Sequence, residues 1–400
     1  MNIGISSTFN PKEFENWLDK GQIIPNCNKA ASSVHAYVEE LLLAGHHVTI
    51  FTTYDFDGEP KIITGDLLKI YIVSRKSKFP LKNGGINAYL NRFYVGIRLA
   101  KKIKNEINNL DVLHGQWTYD FSLATCFFTR KIPVFCSVRD WCPYQYSIQT
   151  SRSNKIYWGV SYIVFKIVMA NRKIIFIANS QYTYNCIKNN YPNNIVHVIP
   201  NPIKRNYILT ERKDYPQTTT FISISQSLTE ERKNYNNLLI AFQKYKKMFE
   251  NSKLLLIGRF SENSSCIKKW RDNSLNGVSL LGFIEHDKIK EYLDQSTHLI
   301  HPSLEETFGN TLLEGFARRL VVIGGKDSGA VPMVLGNGEY GLLCDVKSPD
   351  SIYTTMLKAT KIKEYDIMLN KATTYLIKNY RADEIAKKHL LLYLDYTHQR

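Results

Sequence analysis

The stretch HPSLEETFGNTLLEGF, His301 to Phe316, sets three acids among small and apolar residues: Glu305, Glu306 and Glu314. Glu306 and Glu314 are the pair whose spacing asks for chemistry, with Thr307, Phe308, Gly309, Asn310 and Thr311 among the residues between them. On one continuous helix eight positions turn the chain by about 800°, leaving the carboxylates roughly 80° and 12 Å apart, so they would not act as a couple. The spacing fits a loop carrying Glu306 and a following helix with Glu314 in its second turn. Gly309 lets the backbone come close to a ligand, and Asn310 or Thr311 can cap the helix. The amides and dipole at such a helix start attract a phosphate. Glu306 then faces whatever the phosphates carry, and Glu314 a sugar hydroxyl. A loop, a capped helix and solvated acids would satisfy the same spacing, and Glu305 reads as a solvated acid.

These residues need a scaffold that delivers them to one edge. Short β-rich runs alternate with amphipathic helical patterns: NIGIS (2–6), HVTIF (47–51), IYIVS (70–74), VLHG (112–115), PVFCSV (133–138), KIIFIA (173–178) and IVHVI (195–199). In SSVHAYVEELLLAG, Val34, Tyr37, Val38 and Leu41 form one stripe. Pro200 and Pro202 interrupt the series, since neither can continue a strand ladder. A second series follows: TFISIS (220–225), KLLLIG (253–258), VSLLG (278–282), HLIHPS (298–303), LVVIGG (320–325) and YGLLCD (340–345). Strand–helix alternation implies parallel sheets, hence an α/β protein of two doubly wound domains with a ligand in the cleft between them. Strand HLIH would bring the chain to Pro302-Ser303 at the carboxyl edge of the second sheet, where such sheets bind ligands. The expected division is 1–200, 201–375 and a C-terminal helical segment, 376–400, broken at Asn379, which must pack on something already built.

PSLEETFGNTLLEGFA resembles the P-S-x-x-E-G-F-G-x-x-x-x-E-A-x-A signature of the retaining GT-B glycosyltransferases of family four. LLLAGHHVTIFT resembles that family's G-H-x-V turn, DVLHGQW its D-V-x-H strand end and VIPNPI its interdomain P-N element. RKNYNNLLIAF, KLLLIGRF and VSLLGFIEHDKIKEYL resemble its K-[GN]-x-x-x-L-[IL]-x-A-F, L-x-I-x-G and F-L-G-x-V segments, in the family's order. The resemblance implies a GT-B fold of two Rossmann-like domains: an acceptor-side domain, a nucleotide-sugar donor domain and a C-terminal helix crossing back to the first. It implies that Lys233 contacts the donor diphosphate and offsets charge on the leaving group, that Glu306 holds donor-sugar hydroxyls, and that the amides of Asn310 and Thr311 hold the distal phosphate. Glu314 would bind ribose hydroxyls, while Phe283, Ile284 and the loop after Gly258 form the base pocket. His114, at a strand end facing the cleft, is the first domain's catalytic candidate; read alone, a lone histidine is more often structural.

The implied reaction retains configuration without a covalent intermediate: the diphosphate leaves and the acceptor hydroxyl attacks from the same face. Retaining glycosidases instead place two carboxyls about 5–5.5 Å apart, and no second acid stands out here. No metal-ligand spacing appears, so the expectation is no metal and no cofactor beyond the nucleotide-diphosphate-sugar, with UDP or GDP as its nucleotide. The chain departs from the family pattern at three places. Ser227 stands where the family has an arginine, with Arg232 as the candidate substitute. Asn28-Lys29 stand where a phosphate-loop glycine pair is usual, and Gln116 where a second histidine is common.

The net charge of +16 favours an anionic partner. Ten basic residues and no acid lie between Lys69 and Lys104, and Leu90, Tyr94, Ile97 and Ala100 share one side of a helical pattern there. A basic amphipathic helix with aromatics reads as a membrane-surface element; a solvated face over a core stripe reads equally well. Nucleic acid is not expected, because no matching motif accompanies the charge. Seven scattered cysteines without a CxxC point to a reducing compartment. MNIGISSTFNPKEF has no signal-peptide pattern, giving a cytoplasmic expectation, peripheral on the membrane's inner face. The leading expectation is sugar transfer to a glycan or lipid-linked glycan in cell-surface polysaccharide synthesis: capsule, exopolysaccharide or lipopolysaccharide. The alternative is a nucleotide-sugar-binding protein that has lost turnover. An epimerase or phosphorylase is disfavoured by the glutamate segment, and a dehydrogenase by the lack of G-x-G-x-x-G after the first strand.

Overall fold

Strands clad on both faces read as near-continuous apolar runs, and the runs above form the centres of two sheets. The structure, a computed structural model, describes residues 1–25, 31–56, 58–75, 86–209, 216–272, 275–360 and 365–398. Two compact units account for the chain: residues 1–202 with 382–400, and residues 203–381.

The first unit contains β1 (Asn2–Ser6), α1 (Ser32–Leu43), β2 (His47–Tyr54), β3 (Lys61–Thr64), β4 (Leu68–Ser74), α2 (Ile86–Glu106), β5 (Val112–Gln116), α3 (Asp120–Cys126), β6 (Val134–Val138), α4 (Cys142–Ser147), α5 (Arg152–Ala170), β7 (Ile174–Ala178), α6 (Gln181–Asn190) and β8 (Ile195–Val198). Its strand order is β3-β4-β2-β1-β5-β6-β7-β8, parallel except for the β3–β4 pair. The four-residue edge strand β3 has no counterpart among the runs read from the sequence. Two of its residues, Ile62 and Ile63, are apolar neighbours in a polar setting, too short a run to carry a period.

The second unit contains α7 (Arg205–Leu209), β9 (Thr220–Ser227), α8 (Tyr235–Met248), β10 (Lys253–Arg259), α9 (Ser265–Asp272), β11 (Val278–Gly282), α10 (His286–Asp294), β12 (His298–His301), α11 (Asn310–Ala317), β13 (Val321–Gly325), α12 (Val331–Val334), β14 (Leu342–Cys344), α13 (Pro349–Thr360) and α14 (Tyr365–Tyr380). All of its strands are parallel, in the order β11-β10-β9-β12-β13-β14. That is the Rossmann order, whose switch point lies between the first and fourth strands of the unit, here β9 and β12.

Side chains alternate between two cores in each sheet. In the second unit Phe221 and Ile300 pack on one face, Ile222 and Leu299 on the other. The C-terminal segment departs from the expected break at Asn379. α14 runs through to Tyr380, Arg381 bridges Ile203, and α15 (Ala382–His398) then joins the first unit. There α15 packs against α1, burying Ile385, Ala386 and Tyr393 with Ile3, Ile5 and Val38.

Candidate active site

The loop after β12 and the turn after β9 meet at the switch point of the second unit. A 3₁₀ turn, Glu231–Lys233, ends at Asn234, whose φ of 56° and ψ of 34° are left-handed. Asparagine tolerates that conformation better than branched residues do. Its side-chain amide donates to the carbonyl oxygens of Pro302 (3.1 Å) and Val346 (2.7 Å), and Leu304 N donates to Arg232 O (2.8 Å). These bonds aim two cations at one acid. Lys233 Nζ lies 2.6 Å from Glu306 Oε1, and Arg232 Nη1 lies 3.2 Å from the same oxygen. The three side chains are only 11–13% exposed. His301 Nε2, 3.2 Å from Glu306 Oε1, adds a third contact. Burial pushes the Glu306 carboxyl upward, but Lys233, Arg232 and His301 outweigh it and hold the acid well below the usual carboxylate range. Arg232 also donates to Glu305 O (2.6 Å) and pairs with Glu230 (3.1 Å).

The expectations for the neighbouring residues divide. Gly309, with φ +88°, is the cap residue of α11, so neither Asn310 nor Thr311 caps the helix; both open its first turn. Amides at a helix start have no acceptor within the helix. Thr311 Oγ1 is 3.0 Å from His301 Nδ1, which links the helix start to Glu306 through one imidazole. Phe308 contributes no side chain to a pocket: it is buried in the core, edge-on to Tyr380 at 5.6 Å. Thr307 is also buried, and Glu305 is buried rather than solvated, because its loop turns inward over Ser303 and Ser328.

Glu314 is buried in the second turn of α11. Its Oε1 lies 2.9 Å from His286 Nε2, and its Oε2 is buried without a hydrogen-bond partner. Gly258 is required by packing within the sheet, since a Cβ there would come 2.7 Å from Ser225 O. Phe283 is an exposed ring at the end of β11, with the Arg259 guanidinium 4.5 Å from its centre, and Ile284 is half-buried. Ser227 Oγ reaches only Thr229 Oγ1 (3.3 Å), whereas the Arg232 guanidinium is the one at Glu306.

In the first unit His114 does not face open space. Alternation along β5 turns Leu113 towards one core and His114 towards the other. The His114 imidazole is wholly buried, with Nδ1 2.6 Å from Tyr393 Oη and Nε2 2.8 Å from Ser137 Oγ. Burial, and after it His389 and Arg139, push its pKa well down. In this position it ties β5 to α15. Gln116 is likewise buried, donating to Tyr37 Oη (3.0 Å) and accepting from Arg139 Nε (2.7 Å). Asn28 and Lys29 lie outside the described residues.

Residues 30–207 match the family model described as Glycosyltransferase Family 4, and residues 210–374 that described as Glycosyl transferases group 1. The chain belongs to the family-four, group 1 glycosyltransferases. This glycosyltransferase is 22% identical over 402 residues to alpha-monoglucosyldiacylglycerol synthase of Acholeplasma laidlawii, covering 93% of the chain and 94% of that relative. Its structure is similar to sucrose-phosphate synthase from Thermosynechococcus elongatus, with a TM-score of 0.79, 14% identity and 100% of both chains covered. An Anabaena protein solved in complex with UDP and glucose gives a TM-score of 0.67 at 15% identity, over 98% of this chain and 99% of that one. These likenesses show a shared GT-B fold.

Several supporting residues of the glycosyltransferase carried no signal of their own. Ala330 N donates to Glu306 O (2.8 Å) and Ser328 Oγ to Ser303 O (2.6 Å), so the loop after β13 holds the glutamate loop. His301 opens the glutamate stretch, yet only the fold turns it back onto Glu306. His286 sits in GFIEHDKI, where a histidine before a helix looks like an ordinary polar residue.

Proposed function

We propose that this glycosyltransferase moves a sugar, with retention of anomeric configuration, from a nucleotide-diphosphate-sugar bound by the second unit to a hydroxyl of a lipid-linked or glycan acceptor taken by the first. The observation that carries this is the convergence of Lys233 and Arg232 on Glu306 beside the start of α11. Two cations next to a helix start suit a diphosphate. A carboxylate held ionised by them is a poor general acid but a good acceptor for sugar hydroxyls. In this reading the bond between the anomeric carbon and the diphosphate breaks, and the leaving oxygen takes the electron pair. Lys233 and Arg232 offset the developing charge, in place of a metal ion. The acceptor oxygen bonds to the same face and its proton passes to the departing phosphate. Glu314 Oε2 accepts from the ribose, and Phe283 and Ile284 border the base. The Anabaena relative in structure, solved with UDP and glucose, supports UDP as the nucleotide.

A lipid-linked acceptor at a membrane surface, in cell-surface glycan or glycolipid synthesis, is favoured by the first unit. The core stripe of α2 is Val95, Leu99 and Ile103; Tyr94 and Ile97, on the other stripe, are exposed. α5, packed against α2, exposes Ile156, Tyr157, Ile163 and Ile167. Part of the basic run is neutralised: Lys69 pairs with Glu106, and Arg75 and Arg92 with Asp120. Lys101 and Lys104 are exposed at the end of α2, while Lys76, Lys78 and Lys82 lie outside the described residues. Among the described residues no helix is long and apolar enough to cross a membrane, so the contact proposed is peripheral. The relative named for a glucosyldiacylglycerol fits such an acceptor.

Two experiments test the reading. Thermal stability against UDP, GDP, ADP, CMP and NAD should rise with one nucleoside diphosphate and lose that rise in Glu314→Ala. Saturation at 100 times the dissociation constant adds about 2.7 kcal/mol. No rise with any of them would remove the donor-site reading. Flotation with anionic vesicles should recover more protein than with neutral ones, and equal recovery would remove the membrane contact.

A further inference from the structure

The pair His286–Glu314 contains a mismatch that the fold maintains. Glu314 is 6% exposed, yet only Oε1 is engaged, by His286 Nε2 at 2.9 Å, while Oε2 is buried without a partner. A buried carboxylate oxygen left unmatched is costly, and such groups in native proteins call for an explanation. The histidine is itself held from two sides. Tyr207, wholly buried on α7, lies against its ring at 5.4 Å with the planes tilted by 47°, and donates from Oη to the His286 carbonyl oxygen at 3.1 Å. His286 is the first residue of α10, so its backbone is fixed by the helix as well. The carboxylate is thus the one hydrogen-bond partner of the ring among the described residues, since His286 Nδ1 is also buried without one.

We propose that His286 is a positioning residue for the donor nucleotide. In this role His286 Nε2, 2.9 Å from Oε1, is the donor to the carboxylate. That bond fixes the carboxylate rotamer and leaves Oε2 as the acceptor for a ribose hydroxyl. The pair thereby makes the site selective for a ribonucleoside diphosphate over its 2′-deoxy counterpart. The deoxy form offers one hydroxyl fewer to an acceptor that no described residue satisfies, and sites built around such hydrogen bonds reject analogues lacking them strongly. This inference rests on the reading of Glu314 as the ribose-holding acid. Its new content is that the selectivity belongs to His286 and is delivered through Glu314.

The test is calorimetric titration of the full chain with UDP and 2′-deoxy-UDP, repeated with the guanosine pair if UDP does not bind. Wild type should prefer the ribo form. His286→Ala should weaken the ribo form roughly ten- to hundredfold, the equivalent of one hydrogen bond to a charged group, and bring the two affinities close together. His286→Gln, which can donate from its own amide to Oε1, should recover most of the preference. A purely structural role for His286 would weaken both nucleotides equally or leave Gln no better than Ala, and either result overturns the proposal. Should His286→Ala fail to fold, the ratio in His286→Gln still decides, since loss of preference in a folded Gln variant rejects donation to Oε1. Glu314→Ala separates the two readings. If it abolishes the preference while His286→Ala does not, only the positioning role fails. If Glu314→Ala leaves the preference intact, or no diphosphate binds wild type, the ribose reading fails and the proposal with it.

Discussion

Glu306 Oε1 receives Lys233, Arg232 and His301 within 2.6–3.2 Å. Such a group is committed to its ionised form, and its neighbours are positioned for a charge larger than its own. Lys233→Ala should therefore lower the transfer rate by about 10²–10³-fold, the range seen when a preorganised donor to a developing charge is removed, with a smaller change in nucleotide affinity because Arg232 remains. Single-turnover transfer beside nucleotide titration distinguishes the two effects; equal losses in both would mean Lys233 only binds. The low carboxyl also has a consequence for stability. A folded value below the ordinary 4.5 stabilises the protein above that pH, and the contribution is lost as pH falls through the folded value. In Glu306→Gln the fall of Tm on the acid side of pH 4.5 should be shallower than in wild type.

The elements carrying these groups are held by two left-handed residues. Asn234 closes the 3₁₀ turn that aims Lys233, and Gly309 opens α11 beside Thr311. Asn234→Gly should be nearly neutral for the backbone but lose the bonds to Pro302 and Val346. Asn234→Ala loses both bonds and also places an alanine at φ 56°, adding about 1–2 kcal/mol. Gly309→Ala meets a similar conformational cost at φ +88°, together with Leu312 Cδ1 at 3.0 Å from the new Cβ. Chemical denaturation of the three variants should rank Asn234→Ala below Asn234→Gly, and an equal ranking would remove the conformational argument. Both loops begin where parallel strands stop. β9 and β12 are neighbours whose connections leave in opposite directions, so their ends leave a gap that the turn and the glutamate loop fill.

At the scale of the whole molecule, three buried histidines give both units the same dependence on pH. Burial lowers His298 to about 4 and His389 to about 3, and it takes His114 well below its ordinary 6.5. The unfolded chain binds protons at these sites near pH 6.5 and the folded chain does not, so stability falls as pH drops from about 6.5 towards the folded values. For His298 the full shift corresponds to roughly 3 kcal/mol. Tm measured from pH 7.5 to 4.5 should decline well before carboxylates titrate, and His298→Gln should flatten that decline; an unchanged slope would mean the histidines are neutral in name only. The same burial encloses His114 within the first unit. α15, contributed from the far end of the chain, supplies Tyr393 and His389 and closes that face of the sheet.

Much of this was legible in the residues. Near-continuous apolar runs separated by helical stripes dictate parallel strands clad on both faces, and the loop-plus-helix reading of Glu306 and Glu314 follows from a turn of 100° per residue. Local sequence also placed a helix start just after Gly309, though the cap is Gly309 itself rather than Asn310 or Thr311. What it did not determine was direction. Whether Arg232 points at Glu306, whether His114 faces substrate or core, and whether Tyr94 or Val95 meets the α2 core depend on which partners arrive from distant segments. His286 finds Glu314 across 28 residues and His114 finds Tyr393 across 279. Periodicity fixes which residues share a face; only packing decides what that face meets, because desolvation and hydrogen-bond matching are settled by neighbours remote in sequence.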